Sequence, residues 1–219
     1  MGKMTVQQIL VQLMGGMLTS VQIFAVTLIF SLPLGLLVAF GRMSKNGVIR
    51  TLVKVYISIM RGTPLMLQLM VVYFGPYYLF GLKFGSGYRL WAALIGFVVN
   101  YAAYFAEIYR SGIQSMPQGQ YEAAKLLGYS RAQTFFKIIL PQVIKHILPS
   151  VTNEVITLVK DTSLAFTLSV MEMFSIAKML AAAQSNMIPF VAAGLFYYIF
   201  NLLVALAMEG IEKKLNYYQ

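Results

Sequence analysis

Cysteine is absent from all 219 residues, and histidine occurs once, at position 146. The first absence excludes disulfides and thiolate-bound metals, and the second removes the material for a histidine-rich metal site. No metal site is expected. Charge is scarce: Asp, Glu, Lys and Arg make up 11% of the chain, under half of the roughly 25% usual in soluble domains. No Gly-x-x-x-x-Gly-Lys-Ser/Thr phosphate loop is present, so ATP has no site of that kind here and no cofactor is expected in this chain. The uncharged run from Met4 to Gly41 is too long for a signal-peptide core and has no obvious cleavage site, so the first apolar segment is expected to be retained.

What is present is apolar. Hydrophobic residues make up 59% of the chain and the mean hydropathy is +0.72, the profile of a multi-pass membrane protein. The net charge of +10 invites a nucleic-acid reading, but the Lys and Arg residues mostly flank apolar segments instead of forming one basic face. A spanning helix takes about 20 apolar residues. Five segments qualify, roughly 17–40, 52–82, 90–109, 143–160 and 187–208, giving an all-α, five-span transmembrane domain over residues 1–219. The second is overlong and is expected to break at Arg61-Gly62-Thr63-Pro64, where Pro64 lacks an N–H, clashes with the carbonyl of Met60, and Gly62 eases the break. Residues 162–183 carry Glu172 and Lys178 and read as a short helix and surface segment, not a sixth span. Thr5–Met14 has Ile9, Leu10 and Leu13 on one helical face, which predicts an interfacial helix on the outer surface. Tyr77-Tyr78, Trp91 and Tyr217-Tyr218 fit interfacial aromatic belts.

The positive-inside rule orients the spans. Arg42, Lys45, Arg50, Lys54, Arg110, Lys125, Arg131, Lys137, Lys145, Lys213 and Lys214 fall on one side, against Lys3, Lys83, Arg89, Lys160 and Lys178 on the other. The N-terminus is expected outside, the C-terminus inside, and the loop at about 115–137 in the cytoplasm. Within that loop Ser115-Met116-Pro117-Gln118 fits a capping box, Gly128 a left-handed C′ position, and Ser130-Arg131-Ala132-Gln133 a second capping box. Two short helices meeting at Gly128 are expected. Ala123 and Ala124 permit close approach of another surface and Glu122 can accept its donors, although an ordinary surface hairpin would read the same way.

A charged side chain at mid-bilayer costs about 2.5–3.5 kcal/mol on insertion scales, so such residues tend to line pathways. Arg61, Glu107, Glu154 and Asp161 are the candidates. Counting inward from Lys145 at 1.5 Å per residue, Glu154 lies roughly 13 Å deep and Asp161 roughly 24 Å. Seven apart, they share a helical face with Thr157 between and Asn153 beside; neutralisation by Lys160 or Arg61 is the alternative for each. Glu107 is expected to pair with Arg110. At the break, the half-helix beginning after Pro64 aims its positive end at anions. Arg61, Gly62 and Thr63 are therefore the candidates for holding an anionic group of a cargo, and Glu154 and Asp161 a cationic one, with the hydroxyl of Ser163 beside them and Thr162 capping the next helix. Acids and a broken helix also suit a self-contained secondary transporter or channel for small cations or amino acids. Five spans without a visible repeat are few for a pathway, so a two-fold pair of subunits is expected.

Glu122-Ala123-Ala124, three residues, Gly128, nine residues and Ile138-Ile139-Leu140-Pro141 resemble the cytoplasmic Glu-Ala-Ala signature of ABC-type importer membrane subunits. With Arg61-Gly62-Thr63-Pro64, residues 103–110, Gly119-Gln120, Gln142, Asn153-Glu154 and Lys160-Asp161-Thr162-Ser163-Leu164, the chain is similar to the permease branch taking up histidine, lysine, arginine or glutamine. That resemblance implies a type I fold, alternating access and location in a prokaryotic plasma membrane. It implies a coupling helix from about Pro117 to Gly128, in which Glu122, Ala123, Ala124 and Gly128 engage a cytoplasmic ATP-binding subunit pair carrying ATP and Mg. It further implies a second permease subunit, identical or homologous, an extracellular or periplasmic substrate-binding protein, and a small amino acid as cargo, with no nucleic acid and no enzymatic activity in this chain.

Overall fold

The computed structural model describes residues 4–85 and 87–215, and among these no strand occurs. Lys3, Tyr217 and Tyr218 lie outside the described residues. The helices are α1 (Val6–Arg42), α2 (Gly47–Gly62), α3 (Leu65–Phe80), α4 (Tyr88–Gln114), α5 (Gln118–Leu126), α6 (Arg131–Gln133), α7 (Leu140–Asp161), α8 (Met173–Gln184) and α9 (Ile188–Leu215). A π-helical stretch, Thr134–Ile139, joins α6 to α7, and a 3₁₀ stretch, Thr162–Leu168, comes after α7.

Among the described residues three helices, α1, α4 and α9, are long and apolar enough to cross a membrane. Two bent pairs raise the number to as many as five: α2 with α3, bent by 113°, and residues 131–168 with α8, bent by 60°. The first bend falls where the sequence predicts it. Thr63 is extended (φ −124°, ψ 151°) and Pro64 comes next at φ −62°, because a proline pushes the preceding residue out of the helical region. Gly62 plays no special part: it is the last helical residue of α2, and a Cβ there would meet nothing within 4 Å.

Two expectations are corrected. Thr5–Met14 is not a separate interfacial helix. A capping box starts α1 at Thr5, whose Oγ1 accepts from Gln8 N at 3.3 Å while Gln8 Oε1 accepts from Thr5 N at 3.0 Å, and the helix runs 37 residues without a break. At about 55 Å it exceeds the roughly 30 Å hydrocarbon core. Ile9 and Leu13 spend their apolar face on Met173, Ala177 and Leu180 of α8 and Ala193 of α9, which removes the reason to lie on a membrane surface.

The second correction concerns residues 162–183, which are not a surface segment. Ala165, Leu168, Val170, Met173, Ala177 and Leu180 are buried. Glu172 is fully buried because it caps α8: its carboxylate accepts from Phe174 N and Ser175 N, both at 2.7 Å, from Ser175 Oγ at 2.9 Å and from Tyr197 OH at 3.1 Å. A buried charge is tolerated when donors surround it. Lys178 is exposed, with its Nζ 5.4 Å from the Phe166 ring centroid.

Small residues set the helix spacings, as in membrane bundles generally. A Cβ on Gly35 of α1 would sit 2.8 Å from Phe105 Cβ of α4, and α4 presents Ala92, Ala93, Ala102, Ala103 and Ala106 as buried neighbours. A Cβ on Gly16 would lie 2.7 Å from Met173 Cα and 2.9 Å from its backbone N, so α1 and α8 touch at the main chain. Replacing Gly16 by Val should cost about 1–3 kcal/mol through overpacking, read as a lower thermal unfolding temperature of the purified chain. Gly15→Val, with nothing within 4 Å, should change it far less.

Candidate functional site

A cavity of about 280 Å³ opens between α4 and α7. Tyr104, Glu107, Ile108, Arg110, Ser111 and Gly112 of α4 line one wall, His146, Ile147, Ser150 and Glu154 of α7 the other, and Arg61 enters from the last turn of α2. His146, Ser150 and Glu154 are spaced by four, one stripe of a helix. Arg61 extends over Tyr104, its guanidinium carbon 5.3 Å from the ring centroid, a cation–π arrangement that aims a long side chain. Glu107 accepts from both Nε (3.0 Å) and Nη2 of Arg110, which also donates to Gln114. That pair satisfies itself, as its three-residue spacing predicts. Ion pairs among the described residues are Glu107–Arg110 and Glu209–Lys213. No ion pair within 4 Å joins Arg61 or Lys160 to Glu154 or Asp161, although the charge of Arg61 acts on Glu154 and that of Lys160 on Asp161.

The other predicted site residues are dispersed. Asp161 does not line the cavity; its Oδ2 accepts from the hydroxyl of Tyr101 at 2.8 Å, and Tyr101 lies in the core beside Phe97 and Phe105. Asn153 is exposed, outside the cavity wall. Gly62 and Thr63 are exposed at the bend. Thr162 Oγ1 donates to Val159 O and Ser163 Oγ to Lys160 O, both at 2.8 Å. They thus satisfy carbonyls of α7, the helix before them, and do not cap the next one.

Sequence reasoning missed Gln68 and Asn100. Proline at 64 leaves the carbonyl of Met60 without its helical partner. Asn100 Nδ2 donates to Met60 O at 3.1 Å and to Gln68 Oε1 at 2.8 Å; Gln68 Nε2 donates to Met60 O at 3.0 Å, Thr63 O at 3.2 Å and Thr63 Oγ1 at 2.8 Å. Thr63 Oγ1 donates in turn to Ile59 O at 2.8 Å. The signal was available: two amide side chains in otherwise apolar spans.

The loop between α4 and α7 is built differently from expectation at its start. Ser115 ends α4, its Oγ donating to Gly112 O at 2.9 Å, and α5 begins after Pro117, which offers no side-chain cap. The proline's fixed torsion begins the helix instead. At the other end Gly128 is left-handed (φ +80°), and its N–H and that of Tyr129 donate to Lys125 O (3.1 Å) and Ala124 O (3.0 Å), a Schellman motif. Ser130 and Gln133 form the expected capping box, at 3.2 and 2.9 Å. That box does not open a second short helix, for residues 131–161 continue through the π stretch into α7. Ala124 is buried, on the helix that packs on residues 134–139, whereas Glu122 and Ala123 are exposed beside Leu126 (89% exposed) and Leu127 (75%). Gln120 and Gln142 exchange two hydrogen bonds of 2.8 Å and fasten α5 to α7.

Long apolar helices, two of the described pairs bent, with a polar cavity and a docked loop helix make a polytopic membrane architecture. Residues 31–217 match the family of binding-protein-dependent transport system inner membrane components, and the chain belongs to that family. It is 37% identical over 201 residues, 91% of both chains, to a putative glutamine transport system permease protein of Rickettsia bellii. It is 35% identical over 202 residues, 92% of this chain and 91% of the other, to an arginine transport system permease protein of Bacillus subtilis. It superposes on an amino acid ABC transporter crystallised with histidines at a TM-score of 0.84 and 27% identity, covering 93% of this chain and 94% of that one. An inward-facing methionine ABC transporter shares the fold at a TM-score of 0.73 and 19% identity, covering 97% and 100%. The chain is therefore a membrane permease subunit of the ABC-importer kind, with ATP hydrolysis falling to a separate subunit.

An unpaired buried carbonyl costs about 1–3 kcal/mol. Asn100→Leu leaves Met60 O its bond from Gln68 Nε2 but strips Gln68 Oε1 of its donor, and should accordingly lower the unfolding temperature of the purified chain, whereas Gln120→Leu, at an exposed pair, should lower it less.

Proposed function

We propose that the chain is the permease subunit of an importer that carries polar amino acids, cationic ones foremost, into a prokaryotic cell by alternating access. In this reading residues 1–219 form one transmembrane domain in the cytoplasmic membrane, with the N-terminus outside and the 115–137 loop inside. The observation that carries it is the cavity of about 280 Å³ to which Arg61 and Glu154 both contribute, neither of them in an ion pair with another described residue. An amino acid presents one carboxylate and at least one cationic group, the complement of that pair.

The substrate carboxylate is assigned to Arg61 and the adjoining bend at Gly62 and Thr63, and the cationic group to Glu154. Asn153, Asp161 and Ser163 complete the surface once a second permease subunit, identical or homologous, is in place. An extracellular or periplasmic binding protein delivers the substrate. On the cytoplasmic side, α5 is the coupling helix: Glu122 and Ala123 with exposed Leu126 and Leu127 meet the ATP-binding subunit, which holds ATP and Mg. Ala124 and Gly128 seat the helix from behind. Its movement reaches Glu154 through the Gln120–Gln142 bonds and the unbroken helix 131–161.

Co-purification with its ATP-binding and substrate-binding partners tests the assignment. Glu154→Gln should lower arginine-stimulated ATP hydrolysis and uptake by about tenfold, the loss expected when one charge contact worth ~1.4 kcal/mol goes; unchanged arginine transport would refute the cationic preference. Separately, Glu122→Arg or Gly128→Pro should abolish substrate stimulation of ATP hydrolysis while substrate binding persists. Normal stimulation in both variants would remove α5 from the coupling path.

A further inference from the structure

One face of α3 has no partner within the described residues. Leu67, Val71, Phe74 and Tyr78, spaced four, three and four apart, form a single stripe and are between 44% and 76% exposed. Two hollows adjoin it. In the elbow of the 113° bend, Ile59, Leu67, Val71 and Val99 help line an almost wholly apolar space of about 310 Å³. Toward the other end of α3, Tyr73, Phe74, Tyr77, Tyr78, Phe84 and Tyr88 wall a space of about 410 Å³ with Lys83 at its edge. The aromatic wall is ordered, Tyr88 stacking on Phe84 at 4.2 Å and on Tyr73 at 5.9 Å while its hydroxyl donates to Val72 O at 3.1 Å.

We propose that this face is a binding site for a phospholipid with an anionic headgroup, drawn from the surrounding bilayer. The phosphate sits at Lys83 among the tyrosines, and one acyl chain runs along the stripe into the elbow. Charge and length both point to this occupant. No Asp or Glu precedes Glu107 in the sequence, so the whole face is neutral or cationic. From Tyr78 to Leu67 the stripe measures about 16 Å, half of the roughly 30 Å hydrocarbon core, which is the reach of one acyl chain in one leaflet. Amphipathic rings and a lysine are the side chains that sit at headgroup level. A second permease helix is the poorer fit, because a rigid helix laid on the stripe leaves both hollows empty, against the close packing of protein interfaces.

The test is native mass spectrometry of the full detergent-purified chain, titrated with phosphatidylglycerol and with phosphatidylcholine of identical acyl chains. One saturating site with about fivefold preference for phosphatidylglycerol is expected, the size of a single lysine's attraction to an anionic headgroup. Lys83→Gln should erase the preference, and Val71→Trp, which fills the elbow, should weaken both lipids. Equal retention of the two lipids by the wild-type chain, or no effect of either substitution, overturns the proposal. Because the chain has no cysteine, Val71→Cys supplies one thiol for maleimide labelling in vesicles. Labelling is expected to be equally slow with and without the partner subunits. Rapid labelling that stops only on assembly would assign the face to a protein and overturn the lipid site.

Discussion

At membrane depth water is not available to satisfy the backbone, so every amide group a helix gives up must be recovered from within the protein. The architecture obeys that constraint at its two bends. Pro64 releases the carbonyl of Met60, and Gln68 and Asn100 recover it. After α7, the hydroxyls of Thr162 and Ser163 take the carbonyls of Val159 and Lys160, and Glu172 takes the free N–H groups that open α8. Each bend is thus a fixed joint with its own hydrogen-bond set. The first joint delivers Arg61 to the cavity; the second turns the chain from α7 into α8.

α4 is the element on which these joints are hung. Its small residues admit α1, its Asn100 closes the first bend, its Tyr101 holds Asp161, and its Tyr104 supports Arg61. The cavity then needs only α7 as its opposite wall. Gly112 brings the two together near the loop, where a Cβ would overlap Ile147 Cγ2. Polar groups at the cavity and close helix contact beside α5 are consequences of one helix's sequence.

The sequence made the all-helical class, the position of the first bend and the Schellman turn at Gly128 legible, because hydropathy, proline and a lone glycine act locally. It misjudged what depends on distant neighbours. Ile9 and Leu13 look like a membrane-facing edge until α8 covers them. Glu172 looks like a surface charge until its donors are counted. Ala124 looks like part of a docking knob, yet it is buried, on a helix that packs on residues 134–139. Of the acids placed in the site, Glu154 lines the cavity whereas Asp161 is engaged by a tyrosine 60 positions away, a pairing that no helical periodicity reveals.

The π-helical stretch between α6 and α7 sets a rotational phase. Leu140 N–H reaches back to Phe135 O instead of Phe136 O, which lodges one extra residue in a turn. Everything after it is turned by about 100° relative to an uninterrupted α-helix starting at Ser130. The azimuth at which Gln142 finds Gln120, and at which Glu154 looks into the cavity, is therefore written in a local winding defect. The angular setting of that helix is fixed beside the loop, several turns away from the carboxylate it aims.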